Sequence, residues 1–126
     1  MKYLLDTNVI VRVITRDDES LTPKALKVFD NIQKGEQKAV IITLIIGEVL
    51  YVLTSPKLYN ISREKAVLAL KIILETKNIV TEEKTITLKA LNLFASVSLD
   101  FPNCFLLAKK EVKSFKDILT FDKKLK

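Results

Sequence analysis

The stretch MKYLLDTNVIVRVI, residues 1–14, decides the fold of this chain. Its residues 2–5 form a short apolar run that stops at Asp6, as a short strand does. After Asp6, apolar residues recur at helical spacing, at Val9, Ile10, Val13 and Ile14. The stretch therefore predicts a strand that is followed at once by a helix.

The rest of the chain repeats these two patterns. Further strands are predicted at residues 39–42, 79–80 and 117–120. Helices are predicted at residues 23–35, 43–53, 62–76 and 84–98, and from Pro102 onward, with Thr22 as the N-cap of the first of these and Gly35 at its end. Strands separated by helices indicate an α/β sandwich with a mostly parallel sheet, in which sites form at the carboxyl ends of the strands.

Composition places the chain among small basic globular domains. Its 126 residues are 48% hydrophobic with only two glycines and three prolines, so we expect residues 1–126 to form a single domain. The formal charge is +6, and residues 109–126 hold seven lysines against three acids. Such a charge favours a polyanion such as nucleic acid as a partner, although a solvated helix face explains it equally well.

Cysteine and histidine usage restricts the kind of metal site and the compartment. The sequence has one cysteine, Cys104, and no histidine, which excludes an intramolecular disulfide and the usual Cys/His zinc sites. The longest apolar stretch, AVIITLII, is too short to span a bilayer, and no cleavage site follows the N-terminal stretch. We expect a soluble, cytoplasmic protein without a membrane association.

Three acids follow or interrupt strongly apolar runs: Asp6 after KYLL, Glu48 inside TLIIGEVLYVL and Asp122 after ILTF. Ionised carboxylates at the edge of a core are costly unless a cation compensates them, and converging carboxylates suit a hard ion such as Mg²⁺ or Mn²⁺. Glu48 shares an apolar stripe with Ile45 and Val52, so we expect it to face away from solvent.

Each acid also has a simpler explanation. Glu48 can form a salt bridge or carry a pKa raised by burial. Asp6 can cap the helix that begins at Thr7, and Asp122 can be a turn or N-cap residue.

Four segments together carry a family resemblance. They are MKYLLDTNVIVRVI, TLIIGEVLYVL, LDFPNCFLLA and ILTFDKKL, in this order and spacing. The ordered set resembles the signature of PIN-domain proteins, in particular VapC-like toxins, over essentially the whole chain. The resemblance implies a three-layer α/β/α sandwich with a Rossmann-like sheet and the activity of a metal-dependent ribonuclease.

The resemblance also implies roles for single residues. Asp6, Glu48 and Asp122 correspond to catalytic, metal-binding acids of the family. Asn8 and Thr120 correspond to residues that orient metal ligands or position the substrate, although Asn8 can simply cap a turn and Thr120 can simply fill a strand.

Asn103 is a departure from the family pattern. The chain reads Asp100, Phe101, Pro102, Asn103 where the family pattern ends in a second aspartate that belongs to the site. An asparagine oxygen can ligate a hard cation without the attraction of a full charge, so weaker metal binding is expected. Asp100 can compensate from one helical turn away, but helix N-capping is its simpler role.

The implied function is hydrolysis of RNA phosphodiester bonds with Mg²⁺ or Mn²⁺ as cofactor. Arg12, Arg16 and Lys123 are candidates for contacts with the RNA backbone. VapC-like toxins pair with a small antitoxin and form dimers, so an antitoxin and a homodimer are implied as partners. The alternative is an RNA- or protein-binding PIN module that has lost much of its chemistry because of Asn103. A haloacid-dehalogenase-type phosphatase fits less well, because its Asp-x-Asp is Asp6-Thr7-Asn8 here.

Overall fold

A computed structural model describes residues 2–125 of the chain. Lys126, one of the seven lysines near the end, lies outside the described residues. The strands are β1 (Lys2–Leu4), β2 (Lys38–Ile41) and β3 (Ile79–Thr81). The helices are α1 (Thr7–Thr15), α2 (Leu21–Gln33), α3 (Thr43–Thr54), α4 (Arg63–Leu74), α5 (Lys84–Ser96) and α6 (Phe101–Val112), and a 3-10 helix spans Lys123–Leu125.

The α/β class is confirmed, since six α-helices accompany a three-stranded, wholly parallel sheet in residues 2–125. The strand order is β1-β2-β3, with Leu4 opposite Val40 and Ile41 opposite Thr81. The chain divides into two compact units, Met1–Glu82 and Glu83–Lys126. Within residues 2–125 no helix is long and apolar enough to cross a membrane.

The first unit holds the sheet and four helices. Helix α1 packs on α2, α3 and α4, and α4 also packs on β3. Most of the buried side chains are aliphatic, and they come from every helix of this unit and from β2 and β3; they include Ile10, Val11, Ile32, Ile41, Ile46, Val49, Leu50, Leu53, Leu70, Leu74 and Ile79. Burial of aliphatic side chains on facing helices and strands is the main contribution to the stability of such a unit.

The start of α2 differs from the predicted Thr22 cap. The helix begins at Leu21, and the Asp18 carboxylate accepts hydrogen bonds from the backbone N–H groups of Ser20 and Leu21 at 3.0 and 2.8 Å. Asp18 N–H donates in return to the Thr22 hydroxyl at 3.3 Å. Pro23 is tolerated inside the first turn because N–H groups there have no partner within the helix. Gly35 does follow the end of α2 as predicted, with a φ of 85° that favours glycine.

The second unit pairs α5 with α6 and then continues without a further strand. The predicted strand at residues 117–120 is wrong, because this segment has no regular structure. The Asp117 carboxylate accepts from Ile118 N–H at 2.8 Å, and the Thr120 hydroxyl accepts from Asp122 N–H at 2.9 Å. Such local side-chain hydrogen bonds satisfy backbone groups that a strand would pair in a ladder.

Candidate active site

The carboxyl edge of the parallel sheet is the place where two helices of the first unit begin. Backbone pairing continues past the strands, with Leu5 N–H donating to Val40 O and Glu82 N–H donating to Ile41 O, both at 3.0 Å. If the strand register is extended beyond the last paired residues, Asp6, Ile42 and Glu82 stand side by side at this edge. Helices α1 and α3 start immediately after the first two of these positions.

Asp6 occupies the N-cap position of α1 with extended backbone angles. Its Oδ1 accepts from the backbone N–H of Thr7 at 2.8 Å, and the side chain is exposed. The simple capping role is therefore present. The other carboxylate oxygen, Oδ2, has no hydrogen bond within residues 2–125, so capping leaves an oxygen that can bind a cation.

Glu82 is a second carboxylate at this edge, and the sequence reasoning missed it. Ile42 stands at the N-cap position of α3 and offers no side-chain acceptor. Glu82 Oε1 takes that role by accepting from Thr43 N–H at 3.0 Å. The available signal was its place two residues after the short strand predicted at residues 79–80, which resembles the signal that singled out Asp6.

Glu48 does not lie where the sequence placed it. The prediction that it faces away from solvent is wrong, because its side chain is exposed. Helix α3 buries a different stripe, formed by Ile46, Val49, Leu50 and Leu53. When a helix is apolar on almost every side, its sequence does not indicate which face is buried. Packing against the neighbouring elements then determines the buried face. The Glu48 carboxylate makes no hydrogen bond or ion pair with any residue among 2–125 and is free to bind a ligand.

Asp100 and Asn103 open α6 in the second unit. Asp100 Oδ1 accepts from Asn103 N–H at 3.1 Å, so the simpler N-capping role of Asp100 is observed. The Asn103 side chain is half-buried, and its amide has no hydrogen-bond partner in the described part of the chain. Its backbone position is thus fixed while its side-chain oxygen stays available.

Thr120 and Asp122 form a local turn and do not end a strand. Asp122 Oδ1 accepts from Lys124 N–H at 2.9 Å, and Asp122 O accepts from Leu125 N–H at 3.1 Å. Asp122 therefore starts the 3-10 helix, which is the turn role considered for it. Asp122 is exposed, as are the other two acids singled out in the sequence, Asp6 and Glu48. None of the three therefore carries the free-energy penalty that was expected for an ionised carboxylate at the edge of the core.

The three basic residues proposed for contacts with the RNA backbone differ in how far other residues of the protein already bind them. Arg12 Nη1 donates to the Tyr59 hydroxyl at 2.7 Å and to Asp17 Oδ1 at 3.3 Å, and Tyr59 donates to Asp17 Oδ2 at 2.8 Å. The Tyr59 hydrogen bond raises the pKa of Arg12 and lowers that of Asp17. Arg12 thus holds the C-terminal end of α1 in place. The Arg16 side chain is exposed, and within residues 2–125 its one hydrogen bond is from Nε to Val13 O at 3.1 Å; Lys123 is exposed as well.

Three threonine hydroxyls at the sheet edge are buried without a partner in residues 2–125. They belong to Thr7, Thr43 and Thr81, one for each of the three strand ends. Buried hydroxyls nearly always find a hydrogen-bond partner, such as a bound water or ligand. Asn8 follows Thr7 in the first turn of α1 and is exposed.

The donor chemistry of these residues fits a hard divalent cation. Asp6, Glu48, Asp122 and Asn103 offer oxygen ligands, each with an oxygen not engaged by the protein in residues 2–125. No group of three or more Asp, Glu, His or Cys side chains within the described residues is gathered closely enough to hold an ion.

Comparison with known proteins identifies the family. No curated protein matches the chain. The family model of the PIN domain matches residues 3–126, which is the whole chain except its first two residues. PIN domains are nucleases that in general depend on metal ions. The chain therefore belongs to the PIN-domain family.

Proposed function

We propose that this protein is a metal-dependent endoribonuclease that hydrolyses RNA phosphodiester bonds. The observation that carries the proposal is the PIN match over residues 3–126, together with the free and exposed carboxylate oxygens of Asp6 and Glu48. Asp6 caps α1 and Glu48 lies on α3, and these two helices begin at the carboxyl edge of the sheet and pack against each other. Sites of parallel α/β folds form at this edge.

Asp6, Glu48 and Asp122 are the proposed acidic ligands of Mg²⁺ or Mn²⁺, with Asn103 as a neutral ligand. Such an ion supplies Lewis-acid stabilisation of the phosphate charge and makes water a better nucleophile. The protein's own part is to hold the carboxylates. Asp6 is fixed by its bond to Thr7 N–H and Asp122 by its bond to Lys124 N–H, so one oxygen of each is oriented before any ligand arrives.

Asn8, Thr120 and Asp100 position these groups in the proposal. Thr120 accepts from Asp122 N–H, and Asp100 accepts from Asn103 N–H, so each fixes the backbone of one proposed ligand. Asn8 is exposed two residues after Asp6 and is a candidate for a direct contact with the substrate.

RNA is the proposed substrate because of the charge of +6 and the free basic side chains. Arg16 and Lys123 are the stronger candidates for phosphate contacts. Arg12 stays a candidate only through nitrogens that Tyr59 and Asp17 do not occupy. Phosphate contacts of this kind make binding fall steeply as salt is raised.

A role as the toxin of a type II toxin-antitoxin pair, with a small antitoxin and a homodimer, is proposed from the resemblance to VapC-like toxins. Cys104 is in no disulfide, which suits the reducing cytoplasm where such a system acts. Co-expression with the product of a small neighbouring reading frame tests the pairing. Growth arrest by this chain alone, and its relief by the neighbour, is the expected result.

The decisive experiment compares Asp6→Asn with the wild type on a fluorescently labelled RNA in Mn²⁺. Asparagine keeps an oxygen that can accept from Thr7 N–H and removes the charge. Asp30→Asn is the matched control, since Asp30 is a surface aspartate paired with Lys34 on α2. We expect the wild type and the control to cleave and Asp6→Asn to be inactive, with unchanged circular dichroism. Cleavage by Asp6→Asn at the wild-type rate would overturn the proposed function.

A further inference from the structure

A groove of about 310 Å³ lies within the second unit, between the last turns of α6 and the irregular segment that follows it. Leu106, Lys109 and Lys110 form its helical wall, and Phe115, Ile118 and Leu119 face them. Its volume is at the lower end of the range of small-ligand pockets, about 300–1,000 Å³. The groove is therefore large enough for one planar ring system and too small for an extended helix.

The groove is held open by fixed backbone geometry. Ser114 adopts a left-handed conformation with a φ of 56°, and Phe115 N–H then donates to Lys110 O at 3.0 Å. This is the six-to-one hydrogen bond of a Schellman motif, which turns the chain back over the end of the helix. The ion pair between Lys110 Nζ and Asp117 Oδ1, at 3.3 Å, ties down the opposite wall.

Leu106, Phe115 and Leu119 form the apolar floor of this groove, and Phe115 presents an apolar face to solvent there. Its side chain is 56% exposed, although the burial of an aromatic ring of this size is favourable. The Leu106 and Leu119 side chains beside it are 45% and 99% exposed. An exposed apolar floor of this kind is uncommon away from binding sites.

Positive charge surrounds the apolar floor. Lys113 and Lys116 flank Phe115 in sequence, both are exposed, and neither makes an ion pair within residues 2–125. Residues 109–125 hold six lysines against three acids, and the one acid in the groove, Asp117, is paired with Lys110. An aromatic face between free cations is the arrangement with which proteins hold single-stranded nucleic acid, because bases stack while phosphates meet lysines.

We infer that this groove binds one unpaired base of a single-stranded RNA, stacked on the Phe115 ring, with the neighbouring phosphates on Lys113 and Lys116. The inference deepens the proposed function, on which it rests for the choice of RNA. The groove takes an unpaired base, because a base inside a duplex cannot leave its stack without a cost of a few kcal/mol. An apolar segment of a partner protein would suit the floor and would leave the two free lysines unexplained.

The test is direct binding of an eight-nucleotide single-stranded RNA to the full chain in EDTA, where cleavage is absent. Fluorescence anisotropy gives the dissociation constant for the wild type, Phe115→Ala and the control Phe121→Ala. Phe121 is fully exposed in the same segment and does not line the groove. Loss of one stacked base weakens binding about 5- to 150-fold, so we expect a shift of at least about fivefold for Phe115→Ala alone.

A second readout uses the absence of tryptophan from the chain. Phe115→Trp places the one tryptophan of the chain in the groove, where it can be excited apart from the three tyrosines, and keeps the aromatic face. We expect intact RNA to bind the Phe115→Trp variant as tightly as it binds the wild type, and to quench the tryptophan fluorescence. An abasic RNA of equal length should leave that fluorescence unchanged. Phe121→Trp should respond to neither RNA.

Equal binding by the wild type and Phe115→Ala, or equal quenching by intact and abasic RNA, would overturn the inference and leave a protein segment as the occupant of the groove. Either result would leave the proposed function standing if Mn²⁺-dependent cleavage is observed. Conversely, Phe115-dependent binding without any cleavage would uphold the groove and refute the nuclease proposal. Unchanged melting of Phe115→Ala confirms that the loss is local.

Discussion

The Glu82 carboxylate accepts a hydrogen bond at 3.0 Å from the backbone N–H of Thr43, thirty-nine residues earlier in the chain. Glu82 thereby serves the N-terminus of α3 as a side-chain cap that Ile42 cannot provide. An anionic acceptor at a helix N-terminus is also favoured by the helix dipole. The helix that carries Glu48 is thus fixed by a residue at the end of the neighbouring strand.

Glu82→Ala should destabilise the fold. Removal of a helix cap costs about 1 kcal/mol, so the urea midpoint should fall. Glu82→Gln keeps an oxygen that can accept from Thr43 N–H and should lose much less. Equal losses in both variants would show that the charge of Glu82, and not its capping bond, matters.

Glu48→Gln should separate activity from stability. The side chain is exposed and unpaired in residues 2–125, so the free energy of unfolding should change by less than about 0.5 kcal/mol. Loss of a metal ligand removes several kcal/mol of transition-state stabilisation, which corresponds to at least about a 100-fold fall in cleavage rate. Glu19→Gln, at an exposed turn, is the matched control. A Glu48 variant with full activity would remove this residue from the site.

Tyr59→Phe should weaken the attachment of α1. The Tyr59 hydroxyl accepts from Arg12 and donates to Asp17, and loss of a hydrogen-bonding group of this kind costs about 1 kcal/mol. Tyr51→Phe is the matched control, because Tyr51 is 68% exposed and its hydroxyl makes no hydrogen bond within residues 2–125. Thermal unfolding of both variants measures the difference, and equal stabilities would contradict the role of the Tyr59 hydroxyl.

The contribution of the hydrogen bond between Tyr59 and Asp17 to stability should depend on pH. Hydrogen bonds from Tyr59 and Thr15 lower the pKa of Asp17 in the folded state. A lowered folded pKa gives stability that is present above the unfolded value of about 3.9 and is lost as the pH falls through the folded pKa. The difference between the wild type and Tyr59→Phe should therefore be largest near neutral pH and shrink below about pH 4. A difference that grows toward acid pH would contradict this.

Asn103→Asp should strengthen metal binding. A full charge in place of an amide dipole adds Coulomb attraction to a divalent ion, so calorimetry with Mn²⁺ should show affinity raised at least about tenfold. An unchanged affinity would show that residue 103 does not face the ion. A wild type without any Mn²⁺ binding, rescued by the variant, would favour the alternative of a binding module with weakened chemistry.

Local structure in this chain follows from short stretches of sequence. Asp100 caps α6 and Ser62 caps α4, as their places before apolar helical patterns indicate, because a cap depends only on residues three positions apart. The alternation of strand and helix patterns likewise sufficed for the α/β class and the parallel sheet. The predicted strand at residues 117–120 failed because Asp117 and Thr120 compete for the backbone groups that a ladder would need.

The sequence by itself determined the six α-helices and the three sheet strands of residues 2–125, the family and three acids to consider, since these depend on periodicity and on the order of motifs. Only the tertiary structure decided which face of α3 is buried and therefore that Glu48 is exposed. It alone brought Glu82 to Thr43 across thirty-nine residues. The physical reason is that the face of an apolar helix, and the partner of a distant backbone group, are fixed by packing between elements and not by neighbours in the chain.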